Sequence, residues 1–230
     1  MILHRFNALE TAAAALAAQV AATLREALQL RGKASLIVPG GRTPSVLFRA
    51  LRRWEMDWAN VEVTLSDERW VPASHEGSNA ALVRRELIAD HAASAQFLPL
   101  HNAAPSAAAG VEASWRGIAR MPRPFDAVVL GMGEDGHFAS LFPGSPHLAT
   151  ALDASAPAGC VAVRAPVAPV DRVSLNLAAL KDARRLFLLV SGEGKRVLIE
   201  SAMQSPPEVS LPIAALLALR DPAPEVYWAP

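Results

Sequence analysis

The chain has 230 residues, 52% of them apolar, which is enough for one sizeable hydrophobic core but includes no unbroken apolar run that spans a bilayer. Its 22 lysines and arginines balance 22 aspartates and glutamates, so no overall field favours nucleic acid or anionic lipid, and any anionic ligand must be held by a local arrangement. Cys160 is the single cysteine, which excludes an internal disulfide or a thiolate metal cluster and fits a reducing cytoplasm.

Residues 1–20 carry Arg5, Asn7, Glu10 and Gln19 among their alanines, an amphipathic pattern rather than that of a secretory leader. Leu9, Ala13, Leu16, Val20, Leu24 and Ala27 recur at steps of three or four and predict a helix over 9–30, stopped by Gly32. Ala34 to Val38 reads as a short buried strand. In the PGGRTP segment that follows, Thr43 is expected to cap the next helix with Pro44 at its first position. Val61 to Ser66 is a second strand, leading into SDERWVP. Ser78 is expected to cap a helix through Ile88, and Gln96 to Leu100 reads as a short strand. A weaker helix is expected over 107–119, where Gly110 and Gly117 interrupt.

Phe125 to Leu130 is the clearest buried strand and runs straight into GMGEDGHFASLFPG, Gly131 to Gly144. The second half supplies strand-like CVAVRA, RVSLNL and RRLFLLVS, then a helix from Gly194 or Lys195 to about Met203. A turn or flexible loop is expected over Ser205 to Pro207, a short helix over 213–219, and a last strand over 226–228. Strands alternating with helices give an α/β fold with a mainly parallel sheet, and no linker divides residues 1–230. In such folds the loops leaving the carboxyl ends of the strands converge on a ligand. Here those loops are PGGRTP, SDERWVP and GMGEDGH.

Each loop admits two readings. The Gly40–Gly41 pair before a helix start suits a phosphate, with Arg42 or Thr43 as added donors, but the same pair also serves plain turns. It is neither a P-loop nor GxGxxG. Asp67, Glu68 and Arg69 either line a pocket or solvate a loop. Asp135 and His137 lie close enough in sequence to form a carboxylate-held imidazole capable of general-base chemistry, or to decorate a turn. No third ligand at metal spacing accompanies them, and no GxSxG elbow supplies a serine nucleophile. Ser140 reads as a local hydrogen-bonding residue. Arg172 and Lys195 are ordinary surface charges, or together the far side of a phosphate site.

Taken together, GGRTP (Gly40 to Pro44), SDERWVP (Ser66 to Pro72), Ser78–Asn79 and GMGEDGHFASLFPG resemble the 6-phosphogluconolactonase family, with a weaker likeness through DRVSLNL and SGEGK to Lys195. The resemblance implies a modified Rossmann-like three-layer fold shared with glucosamine-6-phosphate deaminases and isomerases. It implies hydrolysis of 6-phospho-D-glucono-1,5-lactone in the oxidative pentose phosphate pathway, with no metal or organic cofactor. His137 falls on the family's catalytic histidine, Asp135 on its carboxylate companion and Arg69 on its second-loop arginine. Phosphate contacts fall on Gly41, Thr43, Arg172 and Lys195. Arg42 stands where many members have serine and is carried as a further phosphate candidate. The deaminase branch continues from DGH toward an acidic FNEP-like segment, whereas this chain continues SLFPG. The expected partner is a small sugar-phosphate lactone, with no nucleic acid or membrane, in a cytoplasmic monomer or weak homo-oligomer.

Overall fold

A computed structural model describes residues 1–204 and 211–230; the turn expected at Ser205 to Pro207 lies outside the described residues. The alanine-rich helix α1 (Leu9–Arg31) buries Ala13, Leu16, Val20, Leu24 and Ala27, the stripe expected from their spacing. Gly32 ends it in the left-handed region at φ 69°, its N–H closing on the Leu28 carbonyl. The strands of the main sheet are β1 (Ile2–Arg5), β2 (Ala34–Val38), β3 (Val61–Leu65), β5 (Gln96–Leu98), β6 (Phe125–Leu130), β9 (Ala183–Ser191) and β10 (Glu225–Ala229). They lie in the order β1-β10-β9-β6-β2-β3-β5, with parallel pairing throughout. Every residue of β2 and β6 is buried, as continuous apolar runs in a covered parallel sheet require.

Helices flank this sheet: α2 (Arg42–Leu51), α3 (Asn79–Glu86), α4 (Ala107–Ile118), α5 (Leu148–Ala151), α6 (Leu177–Lys181), α7 (Glu193–Gln204) and α8 (Pro212–Leu217). Ser78 caps α3, accepting from the Ala81 N–H as expected, and Ser106 caps α4 in the same way. Trp58, Phe48, Phe125, Phe138 and Phe187 are fully buried, each stabilising the fold by about 1.5–3 kcal/mol relative to exposure. At the amino end of the sheet, the buried Asp126 carboxylate accepts from Arg31 (2.5 Å) and the Ser35 N–H (2.9 Å), joining α1, β2 and β6. No helix among the described residues is long and apolar enough to cross a membrane.

Three features depart from the expectations. The polar Ile2–Arg5 segment is an edge strand. Asp67–Arg69 is itself a strand, β4, rather than loop. CVAVR and DRVSL, β7 (Cys160–Arg164) and β8 (Asp171–Leu175), leave the main sheet and form a small antiparallel one in the order β4-β8-β7. The small sheet sits over the carboxyl edge of the main one: the Leu175 N–H bonds to the Ser66 carbonyl, and the Ser66 N–H to that of Val38.

Candidate active site

From β2 the chain moves outward through β3 to β5, and from β6 it moves outward the other way to β9 and β10. The crevice beyond the carboxyl ends of β2 and β6 is therefore a topological switch point. A cavity of about 270 Å³ opens there. Its walls are the PGGRTP turn, Asp67, Arg69, Asn79, the Gly131–Gly133 strand exit, His137, Arg172 and Lys195. Gly41, Arg42, Thr43, Arg69, His137, Arg172 and Lys195 all touch this space, and Asp135, outside it, is bonded to His137.

The PGGRTP turn works differently from the capped start expected of it. Gly41, at φ 105°, is the N-cap, so α2 begins at Arg42, and Pro44 occupies its third position. Thr43 is no cap; its hydroxyl lies 3.3 Å from that of Ser191 at the end of β9. With no side chain capping the helix, the N–H groups of its first turn and its positive dipole end are left for a ligand. Gly40 is required for a different reason. A Cβ there would overlap the Asn79 carboxamide, which packs against the turn and donates to the Asp67 carbonyl (2.9 Å), tying α3 to β4. Arg42 is exposed at the cavity rim.

The loop after β6 folds on itself through Gly133 N–H to the His137 carbonyl (2.9 Å) and Gly136 N–H to the Gly133 carbonyl (3.1 Å), with Gly136 at φ 77°. This places His137 Nδ1 2.5 Å from Asp135 Oδ1, which also accepts the His137 backbone N–H at 3.2 Å. A proton on Nδ1 shared with the carboxylate leaves Nε2 as the basic nitrogen. Burial opposes ionisation of Asp135, but the bonds from the His137 ring and backbone outweigh it and hold the carboxyl below its ordinary range. The group therefore stays ionised until the solution is well acidic, and the favourable pairing is lost only as pH falls through that lowered value. Phe142 lies tilted against the imidazole, ring centres 4.4 Å apart.

Arg69 and Arg172 face each other across the β4–β8 ladder. Arg69 Nη1 donates to the Gly77 carbonyl (2.5 Å), while its Nε is buried with no partner. Arg172 is 6% exposed and donates Nε to the Pro169 carbonyl (2.7 Å). Burial, followed by the like charge of Arg69, lowers its proton affinity. Two guanidiniums crowded at a cavity wall have the charge and donors to hold an anion. Lys195, at the start of α7, lines the same cavity, with the exposed Glu134 carboxylate 3.7 Å away.

Glu68 does not line the cavity. It is fully buried and accepts from the backbone N–H groups of Arg69, Asn79 and Ala80, each at 2.7 Å, and from the Ser78 hydroxyl at 3.1 Å. Its work is to clamp β4 to the amino end of α3. The roles of Asn79 and Ser140 were also hidden in the sequence. Each bonds a strand remote in the chain, and only the Ser78–Asn79 pair beside the helix cap hinted at the first.

A family model described as glucosamine-6-phosphate isomerases/6-phosphogluconolactonase matches residues 7–228. The chain belongs to this family. A 6-phosphogluconolactonase of Rhizobium meliloti (strain 1021) is 42% identical over 228 residues, covering 99% of this chain and 98% of the relative. One from Pseudomonas aeruginosa is 41% identical, over 94% and 89% of the two chains. The crystal structure of a 6-phosphogluconolactonase from Shewanella baltica OS155 superposes with a TM-score of 0.94 at 40% identity, covering 100% of this chain and 98% of that one. The structure of a monomeric glucosamine-6-phosphate deaminase shares the fold of this chain, with a TM-score of 0.80 at 17% identity over 100% of this chain and 97% of that one.

Proposed function

We propose that this chain hydrolyses 6-phospho-D-glucono-1,5-lactone to 6-phospho-D-gluconate, a step of the oxidative pentose phosphate pathway. The observation that carries the reading is the sharing of one cavity by a carboxylate-held imidazole and a set of cations flanking an open helix start. Water is the nucleophile. His137 Nε2 takes a proton from it as the oxygen attacks the lactone carbonyl carbon, giving a tetrahedral intermediate whose former carbonyl oxygen carries the negative charge. Arg69, whose buried Nε has no partner within the protein, stabilises that oxyanion. The imidazolium, steadied by Asp135, then gives its proton to the ring oxygen as the C–O bond breaks, releasing the hydroxy acid. The first-turn N–H groups of α2, reached past Gly41, hold the phosphate with Thr43, Arg172 and Lys195, and Arg42 adds charge at the rim. That remote grip aligns the acyl carbon with the water. No cofactor is called on.

Within its loop, His137 has one carboxylate partner and an aromatic neighbour, Phe142, where the aminosugar-phosphate branch carries further acid. This favours lactone hydrolysis over deamination. Freshly made phosphorylated lactone is supplied to the purified chain and 6-phosphogluconate is followed against the spontaneous rate, with ammonia release from glucosamine 6-phosphate measured in parallel. Rapid lactone opening without ammonia is expected. A rate equal to the spontaneous one, or ammonia release, removes the reading.

A further inference from the structure

The proposed base and the proposed oxyanion partner belong to different sheets. His137 follows β6 of the main sheet, whereas Arg69 ends β4 of the small one. Something must set the distance between them. Directly after His137 the chain makes a tight turn, with the Leu141 N–H on the Phe138 carbonyl at 3.0 Å and a bridge between those two residues. Ala139 and Ser140 are its central pair. Ala139 has φ 49°, a region that residues bearing a Cβ enter rarely and keep only where the surroundings determine them. The surroundings here are specific. The fully buried Ser140 donates its hydroxyl to Asp67 Oδ2 at 2.6 Å and its N–H to the Ser174 hydroxyl at 3.2 Å. Asp67 and Ser174 are cross-strand partners on β4 and β8. Asp67 Oδ1 also accepts from the Ser66 hydroxyl at 3.1 Å, so the carboxylate is fixed from both sides. Among the described residues, the Ser140–Asp67 bond is the one side-chain hydrogen bond between the His137 loop and β4.

We infer that Ser140 is a positioning residue: its bonds to Asp67 and Ser174 latch the His137 loop onto the small sheet and so set the imidazole against Arg69. The inference rests on the hydrolytic reading above. Asp67 lies two residues before Arg69 on a three-residue strand, and Ser140 lies three residues after His137, so the latch joins the two groups through short stretches of chain. Catalytic geometry is sensitive at this scale, a displacement of about 1 Å costing up to about 100-fold in rate. A serine that merely completed a turn would affect folding but not the cooperation between His137 and Arg69.

The test is a double-mutant cycle on lactone hydrolysis, with Ser140→Ala, Arg69→Ala and both together, at enzyme concentrations raised to read the weak variants above the spontaneous rate. Ser140→Ala is expected to lower kcat about 10- to 100-fold while KM for the phosphorylated lactone stays within about threefold. In the Arg69→Ala background the same change is expected to cost less than about threefold, because there is no longer a partner to align. An equal loss in both backgrounds, an unchanged kcat, or a loss confined to KM overturns the latch. If Ser140→Ala does not fold, Ser174→Ala, which removes the other anchor, is taken through the same cycle and must show the same non-additivity. Failure of the wild type to open the lactone is a separate outcome that removes the hydrolytic reading itself.

Discussion

Gly133 lies in the exit from β6, and its need for glycine is steric rather than conformational. It is not among the glycines at positive φ, so its backbone accepts an alanine. The added methyl is what does not fit. A Cβ there overlaps Cε1 and Nδ1 of His137 and falls 2.6 Å from Asp135 Oδ1, where contacts of about 3.5 Å are normal. The imidazole and the carboxylate must retreat by about 1 Å or more. Both are the outer ends of side chains, the imidazole at the cavity wall and the carboxylate partly exposed behind it, so the fold yields there rather than in the core. Gly133→Ala is expected to cost about 100-fold in kcat, or about 2.7 kcal/mol of barrier, with a thermal midpoint close to wild type. Gly117→Ala is the control. It lies inside α4 with nothing near its Cβ, so it is expected to gain up to about 1 kcal/mol in stability and keep full activity. Steady-state hydrolysis and thermal melts on both variants decide the matter. Wild-type kcat in Gly133→Ala would show that the His137–Asp135 pair, as placed here, does not do the chemistry.

Removing the Glu68 carboxylate is expected to act on stability. Glutamine keeps one acceptor oxygen, leaving the Ala80 N–H and the Ser78 hydroxyl facing an NH₂ group, so denaturant unfolding is expected to show a loss of roughly 2–4 kcal/mol. Desolvation raises the proton affinity of this carboxyl above the ordinary range despite its backbone donors. The folded state therefore takes up a proton before the unfolded one as pH falls, and this group's contribution to stability declines as pH rises from the unfolded pKa through the raised folded one. Glu68→Gln should flatten that slope, and an unchanged pH–stability curve would refute the assignment. Arg172→Ala and Lys195→Ala are each expected to raise KM for the phosphorylated lactone by about 10- to 150-fold, the worth of a charge-assisted hydrogen bond, while leaving the hydrolysis of unphosphorylated glucono-1,5-lactone within about twofold. Equal losses on both substrates would remove the phosphate assignment.

The parts of the fold that periodicity and punctuation control were legible in the sequence. The α1 stripe, the buried runs of β2, β3 and β6, and the Ser78 cap all depend on neighbours within a turn or two of chain. What was hidden depends on partners far away. A strand spelled Asp-Glu-Arg reads as solvated loop, because charge forbids burial unless donors arrive from elsewhere. Here they come from residues 78–80 and from Ser140. The strands Cys160–Arg164 and Asp171–Leu175 were visible, but nothing local tells that they pair with β4 in a second sheet. The helix start at Arg42 was misread because threonine before proline is a strong local cap signal, whereas the left-handed Gly41 opens the helix earlier. That Gly41, Arg42, Thr43, His137 and Lys195 share one edge was legible because their segments follow strands of the parallel sheet, whereas Arg69 and Arg172 reach the same cavity from the small antiparallel one.

The most direct test of the chemistry is single-turnover and steady-state hydrolysis of 6-phospho-D-glucono-1,5-lactone by His137→Ala beside the wild type, corrected for spontaneous opening. Loss of general-base catalysis is expected to lower kcat by about 10²–10⁴-fold, with KM within about threefold because the phosphate grip is intact. Wild-type turnover in His137→Ala, or a defect that saturating substrate abolishes, would contradict the role assigned to this imidazole.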